Sequence, residues 1–326
     1  MAKIRIALIG AGKMANQVHY PSLAQFGDVE LVGLCDLREG PRQETAQRFH
    51  VRRTFSDYRE MLDATGPDGV YALMPPHHLF DVAADILQRG KHLFVEKPPG
   101  VSTFQAEALA RLAAEQGVVT AVGFQRRYHP LAQQCWQQVK SKGPIHQVVA
   151  CFYKTAPAAA GPPYFRGAID ILRCDAIHAV DALRFYSGLA EVKSVASEVR
   201  AVGTWYENSF NTIVSFENGA VGVLLANWRT GRRFFKLEFH ADGASAYVDT
   251  DGAGTVWSAD EDTAVLESTC LEAAAGREKH MVQGFLAENR AFIDAVRTGR
   301  QLPNNLQDSV KTMQLTDMIY EHAINR

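Results

Sequence analysis

Residues 4–15 read Ile-Arg-Ile-Ala-Leu-Ile-Gly-Ala-Gly-Lys-Met-Ala, a short apolar run followed by a Gly-x-Gly-x-x-Ala loop. The apolar run predicts a strand, and the residues after the loop predict a helix. Gly10 permits a tight turn, Gly12 leaves room for a phosphate, and Ala15 allows the helix to pack closely on the strand. The unpaired amides at the start of this helix would hold a dinucleotide diphosphate. A plain strand-to-helix turn is the alternative that the loop alone leaves open.

A carboxylate at the end of the next predicted strand favours the dinucleotide site. Asp36 follows the apolar run Val29–Cys35 and lies 24 residues after Gly12, close to the offset of about 20 at which an acidic residue binds the adenosine ribose. Asp36 would also repel a 2′-phosphate, which favours NAD over NADP. Arg38 can hold a 2′-phosphate, stack on adenine or be a solvated surface residue, so NADP stays possible.

Periodicity divides the chain into two parts. The first 125 residues alternate between short apolar runs and helix-like stretches, which predicts βαβ units. After Tyr128, strand runs are joined by Glu217-Asn218-Gly219 and Ala241-Asp242-Gly243, which are typical of tight hairpins. The predicted fold class is an α/β Rossmann domain with a doubly wound parallel sheet, then an α+β domain with a large, mostly antiparallel open sheet. We expect these domains to span residues 1–125 and 126–326, with C-terminal helices that can pack back on the first.

Composition and charge exclude several classes of protein. The 326 residues include 34 Lys and Arg against 36 Asp and Glu, so strong attraction to nucleic acid or to an anionic membrane is not expected. No apolar run approaches the roughly 18–20 residues that span a bilayer, and the first residues lack a signal-peptide pattern. The five cysteines are widely spaced, which fits reduced thiols better than a disulfide framework. We therefore expect a cytoplasmic protein without nucleic-acid or membrane partners.

A lysine follows another predicted strand. Glu96-Lys97-Pro98-Pro99-Gly100 comes directly after the apolar run His92–Val95, and ligands of an open α/β sheet collect beyond the carboxyl ends of its strands. Lys97 would then lie where the nicotinamide binds, and its ammonium can stabilise an alkoxide or pass a proton. A surface loop lysine is the alternative. The two prolines fix this backbone, and a cis peptide bond can precede one of them.

Five motifs carry a resemblance to a known family. In chain order they are Gly10-x-Gly12-x-x-Ala15, Met74-Pro75-Pro76, Glu96-Lys97-Pro98, Gly123-Phe124-Gln125-Arg126-Arg127-Tyr128-x-Pro130 and Ile177-His178-x-x-Asp181-x-x-Arg184-Phe185. Over nearly its whole length the chain resembles the glucose–fructose oxidoreductase / inositol dehydrogenase / rhizopine-catabolism (Gfo/Idh/MocA) family. The resemblance implies nicotinamide-dependent oxidation or reduction of sugars, polyols and related compounds, and an open sheet that often forms a dimer interface.

The loop, the strand ends and the resemblance together give a set of expected cofactor contacts. These are Gly10, Gly12, Lys13, Met14, Asp36, Arg38, Met74, Pro75, His78, Glu96, Lys97 and Gln125. The family often has a histidine at the position of Leu79, and in this chain His77 and His78 precede that position. They can line the nicotinamide cleft or cap the following helix. Adjacent helical residues do not face one point, so a metal site is not expected.

The resemblance implies that His178 is the general acid/base, but the segment before it departs from the family pattern. The family commonly has Asp four residues before this histidine, where this chain has Cys174, while Asp175 stands three residues before it. At about 100° per residue of an α-helix, Cys174 lies about 40° to one side of His178 and Asp175 about 60° to the other. We expect Asp175 to orient His178 or to contact a substrate hydroxyl, and Cys174 to contribute shape only.

The predicted function is an NAD(P)-dependent dehydrogenase or reductase that acts on CH–OH groups of a sugar, polyol or related small molecule. Lys97, His178 and Asp175 are the expected catalytic residues, and Asp181 is given a structural role. Candidates for the wall of the substrate pocket are Arg127, Tyr153, Tyr164, Arg166, Cys174 and Trp228. The alternatives are a glycosidase or eliminase that uses NAD transiently and a non-catalytic, NAD-sensing regulatory protein. We expect a homodimer or homotetramer formed through the C-terminal sheet.

Overall fold

The computed structural model describes residues 2–156 and 161–324. The strands are β1 Ile4–Ile9, β2 Val29–Cys35, β3 Thr54–Phe55, β4 Gly69–Ala72, β5 His92–Val95, β6 Thr120–Val122, β7 Gln147–Thr155, β8 Val192–Arg200, β9 Ser209–Phe216, β10 Val221–Asn227, β11 Arg229–Ala241, β12 Ala244–Asp249, β13 Ala253–Ser258 and β14 Leu266–Thr269.

The α-helices are α1 Tyr20–Ala24, α2 Glu39–Arg48, α3 Tyr58–Thr65, α4 Leu79–Gln88, α5 Thr103–Gln116, α6 Pro130–Lys142, α7 Ile177–Tyr186, α8 Cys270–Ala273, α9 Lys279–Val282, α10 Phe285–Thr298 and α11 Leu306–Glu321. Shorter 3₁₀ turns are Pro76–His78, Gln125–Tyr128 and Phe165–Gly167, and π-helical turns are Ala15–His19 and Leu172–Ala176. Within the described residues, no helix is both long and apolar enough to cross a membrane.

The chain forms two compact units. The first contains the residues up to Phe124 together with Glu278–Met281 and Phe285–Val310, and the second contains the rest. The chain first passes from one unit to the other after Phe124, one residue before the predicted boundary, and it passes between them again after residue 277. The segment Phe285–Val310 returns to the first unit because α10 buries Phe292 and Ile293 in its core.

The first unit is built on six parallel strands in the order β3-β2-β1-β4-β5-β6. This is the doubly wound order of a Rossmann fold, so the predicted fold class is confirmed. Local sequence sets the helix ends, as α5 shows. Ser102 accepts a hydrogen bond from the Gln105 amide at its start, and Gly117 ends it at a φ of 62°, a left-handed conformation that favours glycine.

The second unit is built on eight strands in the order β14-β13-β12-β11-β7-β10-β9-β8. All neighbours are antiparallel except β7 and β10, which are parallel. The two predicted hairpins join β9 to β10 and β11 to β12, and Gly219 and Gly243 have φ values of 85° and 66°. The prediction of a large, mostly antiparallel sheet is therefore confirmed.

The two faces of this second sheet differ in what covers them. Val148, Ala150 and Phe152 of β7 are buried in one core with Ala179 and Leu183 of α7. On the opposite face, β9, β12 and β13 present Ile213, Tyr247 and Trp257, which are 54%, 49% and 44% exposed. Alternation along the strands places these large apolar side chains on the face away from the helices.

Candidate functional site

Four of the predicted cofactor positions lie along one edge of the first sheet. Gly10 follows β1, Asp36 follows β2, Met74 comes shortly after β4, and Lys97 comes shortly after β5. Because all six strands are parallel, these positions share the carboxyl edge, where ligands of open α/β sheets bind. The sheet thus places the glycine loop, the Asp36 carboxylate and Lys97, which were selected separately from the sequence, at one edge.

The glycine loop has the geometry that a diphosphate needs. Gly10 has a φ of 113°, and a Cβ built on it would lie 2.2 Å from the Leu73 carbonyl oxygen, so only glycine fits. A Cβ built on Gly12 would meet no atom within 4 Å. The chain therefore leaves open space directly beside the loop at Gly12, which fits a dinucleotide diphosphate. Lys13 and Met14 are exposed beside it.

The Asp36 carboxylate already accepts four hydrogen bonds. The Ala11 amide and Arg38 Nη2 donate to Oδ2 at 2.8 and 3.1 Å, and the Arg38 amide and Nε donate to Oδ1 at 2.9 and 3.1 Å. Burial alone would raise the pKa of Asp36, but the hydrogen bonds from Arg38 and Ala11 outweigh it and hold this pKa below its usual value. Arg38 thus occupies lone pairs that a ribose hydroxyl would use.

Glu96 is held in place by a buried histidine. His19 is fully buried and its Nε2 lies 2.9 Å from Glu96 Oε1, while its Nδ1 lies 3.3 Å from Asn289 Oδ1. The Lys97 amide donates to the other oxygen of Glu96 at 3.3 Å. This series of hydrogen bonds connects the end of β5 to the helical segment after the glycine loop and to α10. The sequence analysis missed His19 and Asn289, because their only signal is that they are polar residues among apolar neighbours.

Lys97 and the two histidines occupy neighbouring strand ends. The peptide bond between Lys97 and Pro98 is cis, one of the arrangements that the two prolines allow. His78 stands at the residue before α4 but makes no side-chain cap hydrogen bond, so helix capping is wrong for His78. The rings of His77 and His78 have centroids 4.0 Å apart. Contact of Met74, Pro75 and His78 with a cofactor stays a prediction.

In the second unit, His178 lies near the start of α7 and is 7% exposed. The turn before it, Leu172–Ala176, is π-helical, with hydrogen bonds from residue i to residue i+5. The predicted angles of Cys174 and Asp175 around His178 assumed a continuous α-helix. Because the turn that contains both residues is π-helical, those angles do not hold. Cys174 is buried, as expected for a residue that contributes shape.

Asp175 belongs to a buried polar network. Its Oδ2 accepts hydrogen bonds from the Tyr164 hydroxyl at 2.5 Å and from the Lys154 ammonium. The Trp228 indole donates to the Tyr164 hydroxyl oxygen at 3.0 Å. Burial, and next the negative charge of Asp175, raise the pKa of Tyr164, so this hydroxyl stays a donor. The Asp175 carboxylate, selected from the sequence, is therefore held by two donors, and it does not point into bulk solvent.

Lys154 is the residue of this network that the sequence analysis missed. Its ammonium lies over the rings of Phe152 and Trp228, 5.1 and 5.7 Å from their centroids. The alternation of side chains along a strand predicts that Lys154 lies on the same face of β7 as the buried Phe152, and this pattern could have identified Lys154 as a candidate. The same alternation places Tyr153 on the opposite face, where its ring packs on Phe234 at 4.7 Å. The assignment of Tyr153 to a pocket wall with Tyr164 and Trp228 is therefore corrected.

Arg127 and Asp181 form a buried ion pair. Arg127 Nε donates to Asp181 Oδ2 at 2.8 Å and Nη2 donates to Oδ1, and both side chains are 1% exposed. The Thr312 hydroxyl donates to the same Oδ1 at 3.0 Å. These contacts explain a structural role for both residues, and a role of Arg127 in a substrate pocket stays a prediction. Arg166 is exposed, and Gln125 is buried in the 3₁₀ turn after β6.

Comparison with known proteins agrees with this geometry. Residues 4–124 match the model of the GFO_IDH_MocA family, described as an oxidoreductase family with an NAD-binding Rossmann fold. The first unit is thus the cofactor-binding half of an NAD-dependent oxidoreductase, and the predicted cofactor and enzyme class are confirmed.

Individual relatives support the same class along more of the chain. D-glucoside 3-dehydrogenase of Escherichia coli (strain K12) is 28% identical, covering 76% of this chain and 80% of its own. scyllo-Inositol 2-dehydrogenase (NAD(+)) of Bacillus subtilis (strain 168) is 25% identical, covering 69% and 67%. The structure of levoglucosan dehydrogenase in complex with NADH and levoglucosan has the same fold, with a TM-score of 0.85 at 20% identity, covering 99% and 98%. The match of residues 4–124 to the family model and these relatives together support the resemblance to the Gfo/Idh/MocA family of oxidoreductases.

Proposed function

We propose that this protein is an NAD-dependent dehydrogenase that oxidises a ring hydroxyl of a sugar or cyclic polyol, or reduces the corresponding ketone. The observation that carries the proposal is that Lys97, the glycine loop and Asp36 share the carboxyl edge of one parallel sheet. The names of the two sequence relatives, which act on a glucoside and on an inositol, support this substrate class.

The proposed chemistry divides between cofactor and protein. When bound, NAD supplies the hydride acceptor. The Lys97 ammonium stabilises the alkoxide that forms as the hydroxyl proton leaves, and His178 takes that proton. We propose that Asp175 holds the His178 imidazole in one tautomer or binds a neighbouring substrate hydroxyl, since a carboxylate fixed by Lys154 and Tyr164 is suited to either role.

A substrate panel tests this function. The purified protein is incubated with NAD⁺ and glucosides, free sugars and inositols, and NADH formation is followed at about 340 nm, with Lys97→Met as the matched control. We expect turnover of at least one cyclic substrate by the wild type and none by Lys97→Met. Cofactor binding without turnover of any member would favour the regulatory alternative. Substrate cleavage without net NADH formation would favour the glycosidase or eliminase.

We propose that NAD is preferred over NADP because Asp36 lies at the ribose end of the site. The loop gives Asp36 a fixed position through the Ala11 amide, and a carboxylate there accepts ribose hydroxyls and repels a 2′-phosphate. The preference is testable by titrating both reduced cofactors, and tighter binding of NADPH than of NADH would contradict it.

A cytoplasmic location is proposed as well, and the free state of all five cysteines supports it.

We propose that the helix-free face of the second sheet is the interface of a homodimer or homotetramer. The exposed side chains of Tyr247 and Trp257 on the neighbouring strands β12 and β13, and of Ile213 on β9, support this, because large apolar groups are unfavourable in water. Light scattering after size-exclusion chromatography tests it. Trp257→Glu should yield monomers, whereas Trp205→Glu, an exposed tryptophan outside the strands, should not. A monomeric wild type would overturn the proposal.

A further inference from the structure

The first unit has a basic crevice at the edge of the sheet opposite the glycine loop. Its volume is about 660 Å³, within the range of small-molecule sites. It lies at the amino ends of β1, β2 and β3, whereas Gly10 follows the carboxyl end of β1. The guanidinium groups that line this basic crevice belong to Arg5, Arg48, Arg52 and Arg53.

Two of these arginines are held rigidly by the end of α3. Arg5 Nη1 donates to the Gly66 carbonyl oxygen at 2.8 Å and Nη2 donates to that of Thr65. Arg53 Nη1 donates to the Ala64 carbonyl oxygen at 2.6 Å. A guanidinium has five N–H donors, so each side chain keeps donors for a ligand. Because their positions are already fixed, little conformational entropy is lost when a ligand binds.

The charges of the crevice are not balanced by acidic groups. Within the described part of the chain, none of its four arginines forms an ion pair with a carboxylate, and Glu30 is the one acidic residue of the lining. Arg48 and Arg52 are exposed and can turn toward a ligand. Four guanidinium groups around one concave surface produce a positive potential that attracts anions.

The floor of the crevice is apolar. Leu23, Val29 and Phe49 line it, and Arg48 lies over the Phe49 ring at 4.9 Å. A ligand that fits both features carries an anionic group and an apolar or aromatic part. Phosphate suits the anionic part best, because planar guanidinium groups donate paired hydrogen bonds to its oxygens.

We propose that this basic crevice is a second ligand site, separate from the cofactor loop, that binds the phosphate groups of an organic phosphate. Arg5 and Arg53 supply the fixed donors, and Arg48 and Arg52 close over the bound phosphate. The position of the site at the opposite sheet edge lets it be occupied together with the dinucleotide. The proposal goes beyond the dehydrogenase function and does not depend on it.

Isothermal titration with inorganic pyrophosphate tests the site on the full-length protein in saturating NAD⁺, which keeps the glycine loop filled. The double variant Arg48→Gln/Arg52→Gln removes two exposed donors, and we expect its pyrophosphate affinity to fall about tenfold or more. The matched control, Arg111→Gln/Arg300→Gln, removes two exposed arginines of the first unit that lie outside the crevice, and it should bind like the wild type. Circular dichroism checks that both variants fold.

Three results would overturn the proposal. The first is that the wild type does not bind pyrophosphate. The second is that pyrophosphate affinity falls equally in the two double variants. The third is that pyrophosphate binds only when NAD⁺ is absent and that Arg48→Gln/Arg52→Gln does not change this binding. ADP provides a second arm in the same conditions. ADP should bind at least as tightly as pyrophosphate, because its adenine adds contact with the apolar floor. Loss of Arg48 and Arg52 should lower the affinity for ADP by the same factor as the affinity for pyrophosphate. Weaker binding of ADP would overturn the organic part of the proposed ligand.

Discussion

Removing the Arg38 side chain should make the protein more selective for NAD. Arg38 Nε and Nη2 donate to the two oxygens of Asp36 at 3.1 Å each, so a ribose hydroxyl must displace them before it can bind this carboxylate. Arg38→Ala frees these lone pairs while leaving the hydrogen bond from the Ala11 amide in place. The same change removes the cation that could hold a 2′-phosphate.

The size of the effect follows from the exposure of the pair. The Arg38 side chain is 63% exposed, and exposed ion pairs contribute only about 0.2–1 kcal/mol. In Arg38→Ala the cofactor no longer has to break this ion pair, so NADH should bind about 1.4- to 5-fold more tightly. NADPH binding should weaken, because Asp36 then faces the phosphate without a neutralising charge.

Fluorescence titration of NADH and NADPH measures both affinities, with Arg111→Ala, an exposed arginine of α5, as the control for loss of a positive charge. Asp36→Ala should change the ratio in the opposite direction, weakening NADH more than NADPH. If Arg38→Ala weakens NADH and leaves NADPH unchanged, Arg38 contacts the adenine rather than competing for Asp36, and the reasoning fails.

Three further substitutions test the assigned roles. Lys97→Met should lower kcat by about 100- to 1000-fold with NADH affinity retained, and a near-normal rate would refute its role. Asp175→Ala should lower activity strongly and shift the pH–rate profile, whereas Cys174→Ala should be mild; the reverse order would make the cysteine the functional group. Asp181→Asn should destabilise the fold by about 3–5 kcal/mol, because it leaves the buried Arg127 guanidinium without its countercharge, and an unchanged urea midpoint would contradict this.

The first unit could be predicted well from sequence because its signals are local. Each of its longer strands is an apolar run, and the turns between strands and helices carry glycine or capping residues. The strand β3, Thr54–Phe55, was missed because two residues give no periodicity. The sequence left the return of the C-terminal helices to this unit as one option, since a helix pattern shows which face is apolar but not which sheet that face meets.

The candidate site was predicted less completely because its polar contacts join residues far apart in sequence. Glu96 was selected from its motif, but its partners His19 and Asn289 lie in other segments and carry no motif of their own. Arg127 was selected as a pocket residue from its motif, and only the structure shows the ion pair with Asp181. A motif identifies residues under a common constraint, and it does not say whether the constraint is packing or chemistry.

The departure from the family pattern at Cys174 illustrates this limit and bears on whether the protein is catalytic. Spacing alone left Asp175 as an uncertain substitute for the missing carboxylate, because one residue of displacement changes its direction on a helix. In the structure that direction is set by Tyr164 and Lys154, which reach Asp175 from a loop and from β7. Keeping a carboxylate charged in a nearly dry position requires such donors, since a buried charge without partners is strongly unfavourable. The Arg127–Asp181 pair, to which a structural role is assigned, is partnered in the same way. The contacts of Tyr164 and Lys154 therefore explain how the Asp175 side chain is held, and the activity of Asp175→Ala decides whether this carboxylate serves catalysis.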